Sequence, residues 1–117
     1  MVMYSQLPIY RDSYMLLMEI YQATDKFPRA SKYTLGQDMK RDVLNLFRDL
    51  YGANTSPDKR REYLDHFLTS FEMLKIEIRL CVDLNILPIK KLAQLSLMMD
   101  NIAKQATAWR RSKSSKG

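Results

Sequence analysis

The sequence has little of what most catalytic and disulfide-built proteins rely on. It holds one cysteine and one histidine in 117 residues. Cys81 lies in an apolar run, and a lone cysteine leaves no disulfide framework or cysteine metal cage within one chain. A single histidine, His66, excludes a two-histidine metal site within one subunit. Only three glycines occur, and they form no glycine-rich phosphate loop or dinucleotide fingerprint. A nucleophile-elbow serine is missing as well. No cofactor is expected. No window approaches the roughly 18 uncharged apolar residues of a membrane span. The opening Met-Val-Met-Tyr-Ser-Gln-Leu-Pro has neither the basic start nor the apolar run of a signal peptide, so no membrane association and a cytoplasmic location are expected. Sustained period-two alternation and hairpin turn sequences are also missing, so no sheet is expected.

Acidic residues are scarce in one part of the chain. Residues 1–87 carry 12 basic and 12 acidic side chains. Residues 88–117 carry Lys90, Lys91, Lys104, Arg110, Arg111, Lys113 and Lys116 against Asp100 alone, so the whole formal charge of +6 belongs to the C-terminal part. A neutral body with one basic end suggests docking on a polyanion or an acidic partner. Composition leaves open a soluble helix with a frayed basic tail.

What is abundant is helical periodicity in a chain that is 46% apolar, which points to one packed, mostly helical domain. The first helix is expected over 9–26, with Tyr14, Leu17, Met18, Tyr21 and Ala23 as its apolar stripe and Phe27-Pro28 as its stop. The second is expected over 34–52, with Thr34 as cap and Leu35, Met39, Val43, Leu46, Phe47 and Leu50 on one face. Gly36 in its first turn either keeps packed elements clear or is a tolerated helix-start glycine; Gly52-Ala53-Asn54 closes the segment. Ser56-Pro57-Asp58 opens a third helix over 57–85. Its core row is Leu64, Phe67, Phe71, Leu74, Ile78 and Cys81, and a second row of Leu68, Ile76 and Leu80 widens the face. Asn85-Ile86-Leu87-Pro88 leads into a fourth helix over 88–111. The apolar residues of this helix cover more than one side, so its second side is expected to meet another subunit. The eight methionines read as adaptable core filler. The expected fold is all-α: an antiparallel up-down-up-down four-helix bundle over residues 1–111, homo-oligomeric, with a basic flexible tail over 112–117.

The segment from Lys26 to Arg41, Lys-Phe-Pro-Arg-Ala-Ser-Lys-Tyr-Thr-Leu-Gly-Gln-Asp-Met-Lys-Arg, carries a pattern of its own. A phenylalanine-proline stop is followed by Tyr33-Thr34-Leu35-Gly36-Gln37 and then a basic pair. Leu84-Asn85-Ile86-Leu87 later closes a long helix, and Trp109 with trailing basic residues ends the chain. Over residues 10–112 this resembles the small bacterial four-helix-bundle family that includes the Avd proteins, the accessory variability determinants of diversity-generating retroelements. The resemblance implies a positively charged pentameric ring that is not itself an enzyme. It also implies association with the retroelement's reverse transcriptase and template RNA during mutagenic retrohoming. A sister branch, encoded in intervening sequences of ribosomal RNA genes, implies instead an oligomeric scaffold without a nucleic-acid role.

The candidate binding residues fall into two groups. Lys26, Arg29, Lys32, Lys40 and Arg41 surround the first connector, partly offset by Asp25, Asp38 and Asp42. Lys90, Lys91, Lys104, Arg110, Arg111 and Lys113 form the C-terminal group. The connector and the end of the fourth helix lie at opposite ends of such a bundle, so two separate patches are expected. Contacts of this kind hold the phosphates of RNA or DNA without reading sequence. Trp109 could stack on an unpaired base, but closing the core or a subunit interface suits it better. Tyr33 is expected to pack over the connector.

One further spacing bears on catalysis. Arg61-Glu-Tyr-Leu-Asp-His66 matches the arginine, four residues, histidine pattern of HEPN ribonucleases, in which the histidine moves protons and the arginine steadies the phosphate. Five positions apart on a helix, the two residues lie well away from a common face, so that chemistry would need two copies at a dimer interface. The plainer reading places His66 at the surface and Arg61 in solvent near the helix start.

Overall fold

Each of the four prolines stands at the start of a helical segment. Proline has no N–H to leave unpaired there, and its fixed φ suits the first turn. In the computed structural model, which describes residues 6–112, Pro8 opens α1 (Pro8–Asp25) and Pro88 precedes α4 (Ile89–Arg111). Between them lie α2 (Leu35–Thr55) and α3 (Arg60–Asp83). Pro28 leads into a single helical turn, Arg29–Lys32, and Pro57 begins a 3-10 turn, Pro57–Lys59. No strand occurs among the described residues.

Short connections force sequential helices to lie antiparallel. α2 packs on α1 and α3, while α4 packs on α3 and α1, which closes a square bundle measuring 50 × 22 × 21 Å. Leu16 and Ile20 from α1, Val43, Leu46 and Leu50 from α2, Phe67, Phe71 and Ile78 from α3, and Leu95, Met99 and Ile102 from α4 fill its axis. Phe67 and Phe71 stack with ring centroids 5.0 Å apart. The Cys81 thiol lies 3.5 Å from the Met39 sulfur, and burial pushes its pKa up to about 11, so it is an inert core group.

Two expected faces are turned. In α1 the core side is Ile9, Ser13, Leu16, Ile20, Ala23 and Thr24, and Tyr14, Met18 and Tyr21 stand exposed on its flank. The core stripe carries two hydroxyls, which disguise it, and the flank is rich in large apolar residues. In α3 the row expected to widen the core splits: Leu68 packs against the core, while Ile76 and Leu80 point outward. Ile76 is 60% exposed, and Leu80 is exposed with it; Met73 and Leu84 extend the same solvent-facing row.

The helix ends also differ from the sequence signals. The Thr34 hydroxyl donates backward to the Ala30 carbonyl at 2.9 Å instead of capping α2. The Ser56 side chain makes no cap bond, and the 3-10 turn after it delays α3 to Arg60. α2 runs straight through Gly52 to Thr55. The left-handed residue is Asn85 instead, at φ 60°. Around it the Ile86 N–H donates to the Cys81 carbonyl at 2.8 Å and the Asn85 N–H to the Val82 carbonyl at 3.0 Å. This paired closure satisfies the last carbonyls of α3 and turns the chain tightly into α4.

Candidate nucleic-acid interface

Topology decides which cations share an end of the bundle. α1 and α3 run one way, α2 and α4 the other. The connector after α1 and the start of α4 therefore lie together, and Lys26 and Lys91 line one cleft with Gln22, Ile86 and Leu87. Lys90 and Lys91 belong with Arg29 and Lys32, not with Arg110 and Arg111. The C-terminal basic group is thus not one patch, because at 1.5 Å per residue about 20 Å of α4 separates Lys91 from Lys104 and about 30 Å separates it from Arg111.

The second end gathers cations that the balanced charge of residues 1–87 hides. The tight Ser56–Lys59 connection brings Arg48 on α2 and Lys59, Arg60 and Arg61 at the start of α3 to the end where Lys104, Arg110 and Arg111 lie. That connection was the only signal in the sequence that could have placed them there. Here Arg60 donates from Nε to the Ala53 carbonyl at 3.0 Å, and its guanidinium lies 5.2 Å from the centre of the Trp109 ring. Trp109 is half-buried and packs against the core, so the ring closes this end of the bundle. Lys104 and Arg111 line an open cleft of about 430 Å³ with Asp100, Ala103, Thr107 and Ala108.

Several of the expected binding residues are already engaged. Lys91 pairs with Glu19 across α1 and α4, and Arg110 Nη1 lies 2.7 Å from Asp65 on α3. Lys32 pairs with Asp25 at 3.4 Å. Arg41 bonds Asp42 at 3.1 Å and Asp38 at 3.3 Å, and Asp42 foremost raises its pKa. Lys40 sits 5.3 Å from the centre of the Tyr21 ring. Exposed pairs of this kind add little stability, but they cancel charge that would otherwise face a ligand. Arg29, Lys90, Lys104 and Arg111 make no ion pair among the described residues; Lys113 lies outside them. Tyr33, expected over the connector, is 62% exposed beside Lys32.

A cluster of carboxyls lies between α2 and α3. Burial, and then a hydrogen bond with Asp42, push the Glu77 pKa up to about 8. One of its carboxyl oxygens is buried without a hydrogen-bond partner among the described residues. No group of three or more metal-ligating side chains is placed to hold a metal among the described residues.

His66 and Arg61 do not come together. Five residues on a helix turn about 140° away from a shared face. His66 instead faces α2, where its Nδ1 lies 2.7 Å from Asp49 Oδ2, in a cleft that Arg61 does not line.

No helix among the described residues is long and apolar enough to cross a membrane. A family model described as bAvd-like matches residues 2–113. No curated protein matches the chain.

Proposed function

The chain belongs to the bAvd-like family, the match running nearly end to end, and on that footing we propose that it is a non-enzymatic accessory protein of a diversity-generating retroelement. In this reading it associates with the element's reverse transcriptase and holds template RNA, or the DNA copied from it, during mutagenic retrohoming. The family match is the observation that carries the reading. The unpaired cations Lys104 and Arg111 at one end of the bundle, and Arg29 and Lys90 at the other, support phosphate contact without sequence readout.

The working unit in this reading is a ring of subunits, a pentamer by family resemblance. The exposed apolar row of Ile89, Ala93 and Leu97 on α4 supports it. These residues recur every four positions on the side away from the core, which is unusual for a helix left in water. A ring multiplies the cationic ends, so the field that attracts RNA belongs to the assembly and each subunit adds its share.

Two measurements test the reading. The first is co-purification with a candidate retroelement reverse transcriptase; no retention at low salt overturns the association. The second is RNA binding by fluorescence anisotropy over a salt series. Lys104→Glu with Arg111→Glu should weaken binding at least tenfold and lower the salt slope by about two. Unchanged binding by a folded double variant would place the RNA elsewhere. A wild-type protein that binds no RNA at low salt would favour the scaffold role of the ribosomal-gene branch.

A further inference from the structure

The groove between α2 and α3, close to where the two helices are joined, is lined by Arg48 and Asp49 on α2, Lys59 on the connecting turn, and Glu62, Tyr63 and His66 on α3. It encloses about 470 Å³ and opens to solvent. At its wall Asp49 is almost wholly buried, its side chain 8% exposed, and its one hydrogen-bond partner among the described residues is the imidazole of His66. A buried carboxylate is costly unless a donor meets it. The 2.7 Å contact lets His66 Nδ1 donate to the Asp49 carboxyl and fixes the plane of the ring. The His66 side chain is itself 70% exposed and lines the cleft, and its Nε2 has no hydrogen-bond partner among the described residues.

The charges around that edge set what it can bind. Arg48 and Lys59 make no ion pair among the described residues, and both line the cleft. Glu62 opposes them from one turn before His66, and Tyr63 contributes an aromatic wall. With His66 neutral, the two cations are balanced by Asp49 and Glu62. Protonation of the imidazole tips the balance to positive and adds a second N–H donor, at Nε2. The first turn of α3 lies along the cleft as well, and its end of the helix is partly positive.

We propose that this cleft is a phosphate-binding site in which His66, oriented by Asp49, supplies the deciding charge, with Arg48 and Lys59 as the flanking contacts. Histidine is the side chain that changes charge in the neutral range, so the site fills more readily as pH falls. The occupant is a phosphate group, either free or within a nucleic-acid backbone. This site does not rest on association with a reverse transcriptase, and its residues are distinct from Lys104 and Arg111.

His66 is the chain's only histidine, so its ring-proton NMR signals need no assignment by mutation. The probes are inorganic phosphate and a uridine hexanucleotide without terminal phosphates, each titrated at pH 6 and pH 8. The hexanucleotide carries the pH comparison, because its phosphodiesters do not change charge over that range. A saturable shift of the His66 signals is expected, at least fivefold tighter at pH 6. Saturation by both probes supports a site for backbone phosphate. Saturation by inorganic phosphate alone supports a site for the free ion. His66→Asn retains an N–H donor for Asp49 without the charge; it and Lys59→Ala, at an exposed position, should each weaken hexanucleotide binding at pH 6 by fivefold or more. Backbone amide shifts along the groove report binding in the His66→Asn variant. No saturable shift with either probe overturns the site, and equal affinity at pH 6 and pH 8 overturns the role of His66. If both variants bind RNA as wild type does while Lys104→Glu with Arg111→Glu fails, the site is wrong and the broader RNA-binding reading stands.

Discussion

The Tyr63 ring occupies the space that any side chain at Gly52 would need. A Cβ built on Gly52 comes within 2.4 Å of the ring's Cε1 and 2.5 Å of its Cζ, closer than packed carbons ever approach. Gly52 lies inside α2 with an ordinary helical backbone, so its role is clearance and not conformational freedom.

Gly52→Ala should therefore destabilise the chain. Removing a glycine from a helix interior gains about 1 kcal/mol, but displacing a packed ring costs about 1–3 kcal/mol. A net loss of about 1 kcal/mol is expected in urea denaturation. In a Tyr63→Leu background the same change should become neutral or stabilising. A stabilising Gly52→Ala in the wild-type chain would show that the ring can leave freely.

Ser13 is the opposite kind of site. It is completely buried on the core face of α1, and its hydroxyl has no hydrogen-bond partner among the described residues. Ser13→Ala should raise stability by about 1 kcal/mol, the order of the penalty for an unmet buried hydroxyl. A loss of stability of the same size would mean that the hydroxyl has a partner after all.

Glu77 makes stability depend on pH in an unusual direction for a carboxyl. Burial, and then its contact with Asp42, raise its pKa from 4.5 to about 8 in the folded chain. Between those values the folded state holds a proton that the unfolded state has released. Stability should therefore fall as pH rises from about 5 to about 8, because each step of pH favours the state with fewer bound protons. The urea midpoint measured across that window should decline in the wild type and stay flatter in Glu77→Gln. A wild-type midpoint that climbs over the same window would refute the assignment.

Leu97 tests the outward row on α4. It is 73% exposed, so replacing it with lysine should leave the melting temperature of the subunit nearly unchanged. If the row builds the ring, sedimentation should show Leu97→Lys as a smaller species than the wild type. An unchanged assembly would move the interface elsewhere, and the exposed row of Met73, Ile76 and Leu80 on α3, with Leu84 just past its end, would be the next surface to test.

The bundle itself was legible because four segments repeat apolar residues at helical spacing, and prolines stand at or just before the start of three of them. α2 and α4 present the faces their sequences suggest. α1 does not, since Ser13 and Thr24 sit in the core while Tyr14, Met18 and Tyr21 look more apolar on the flank. Hydrophobicity alone cannot choose between two stripes on one helix when a hydroxyl is small enough to be packed inside. The charged sites were legible only as a total. Which lysines and arginines face a ligand depends on partners such as Asp65 and Glu19, brought from other helices by the fold. The pairing of His66 with Asp49, seventeen positions away across a turn, left no local spacing to read.

The split of the basic residues along α4 also sets a length requirement on any polyanion. A duplex advances about 3.4 Å per base pair, so the roughly 20 Å between Lys91 and Lys104, where the two ends come nearest, corresponds to about six base pairs. A shorter nucleic acid can touch one end of a subunit or the other, never both. Affinity should thus rise with ligand length in a step, set by the reach of a single helix.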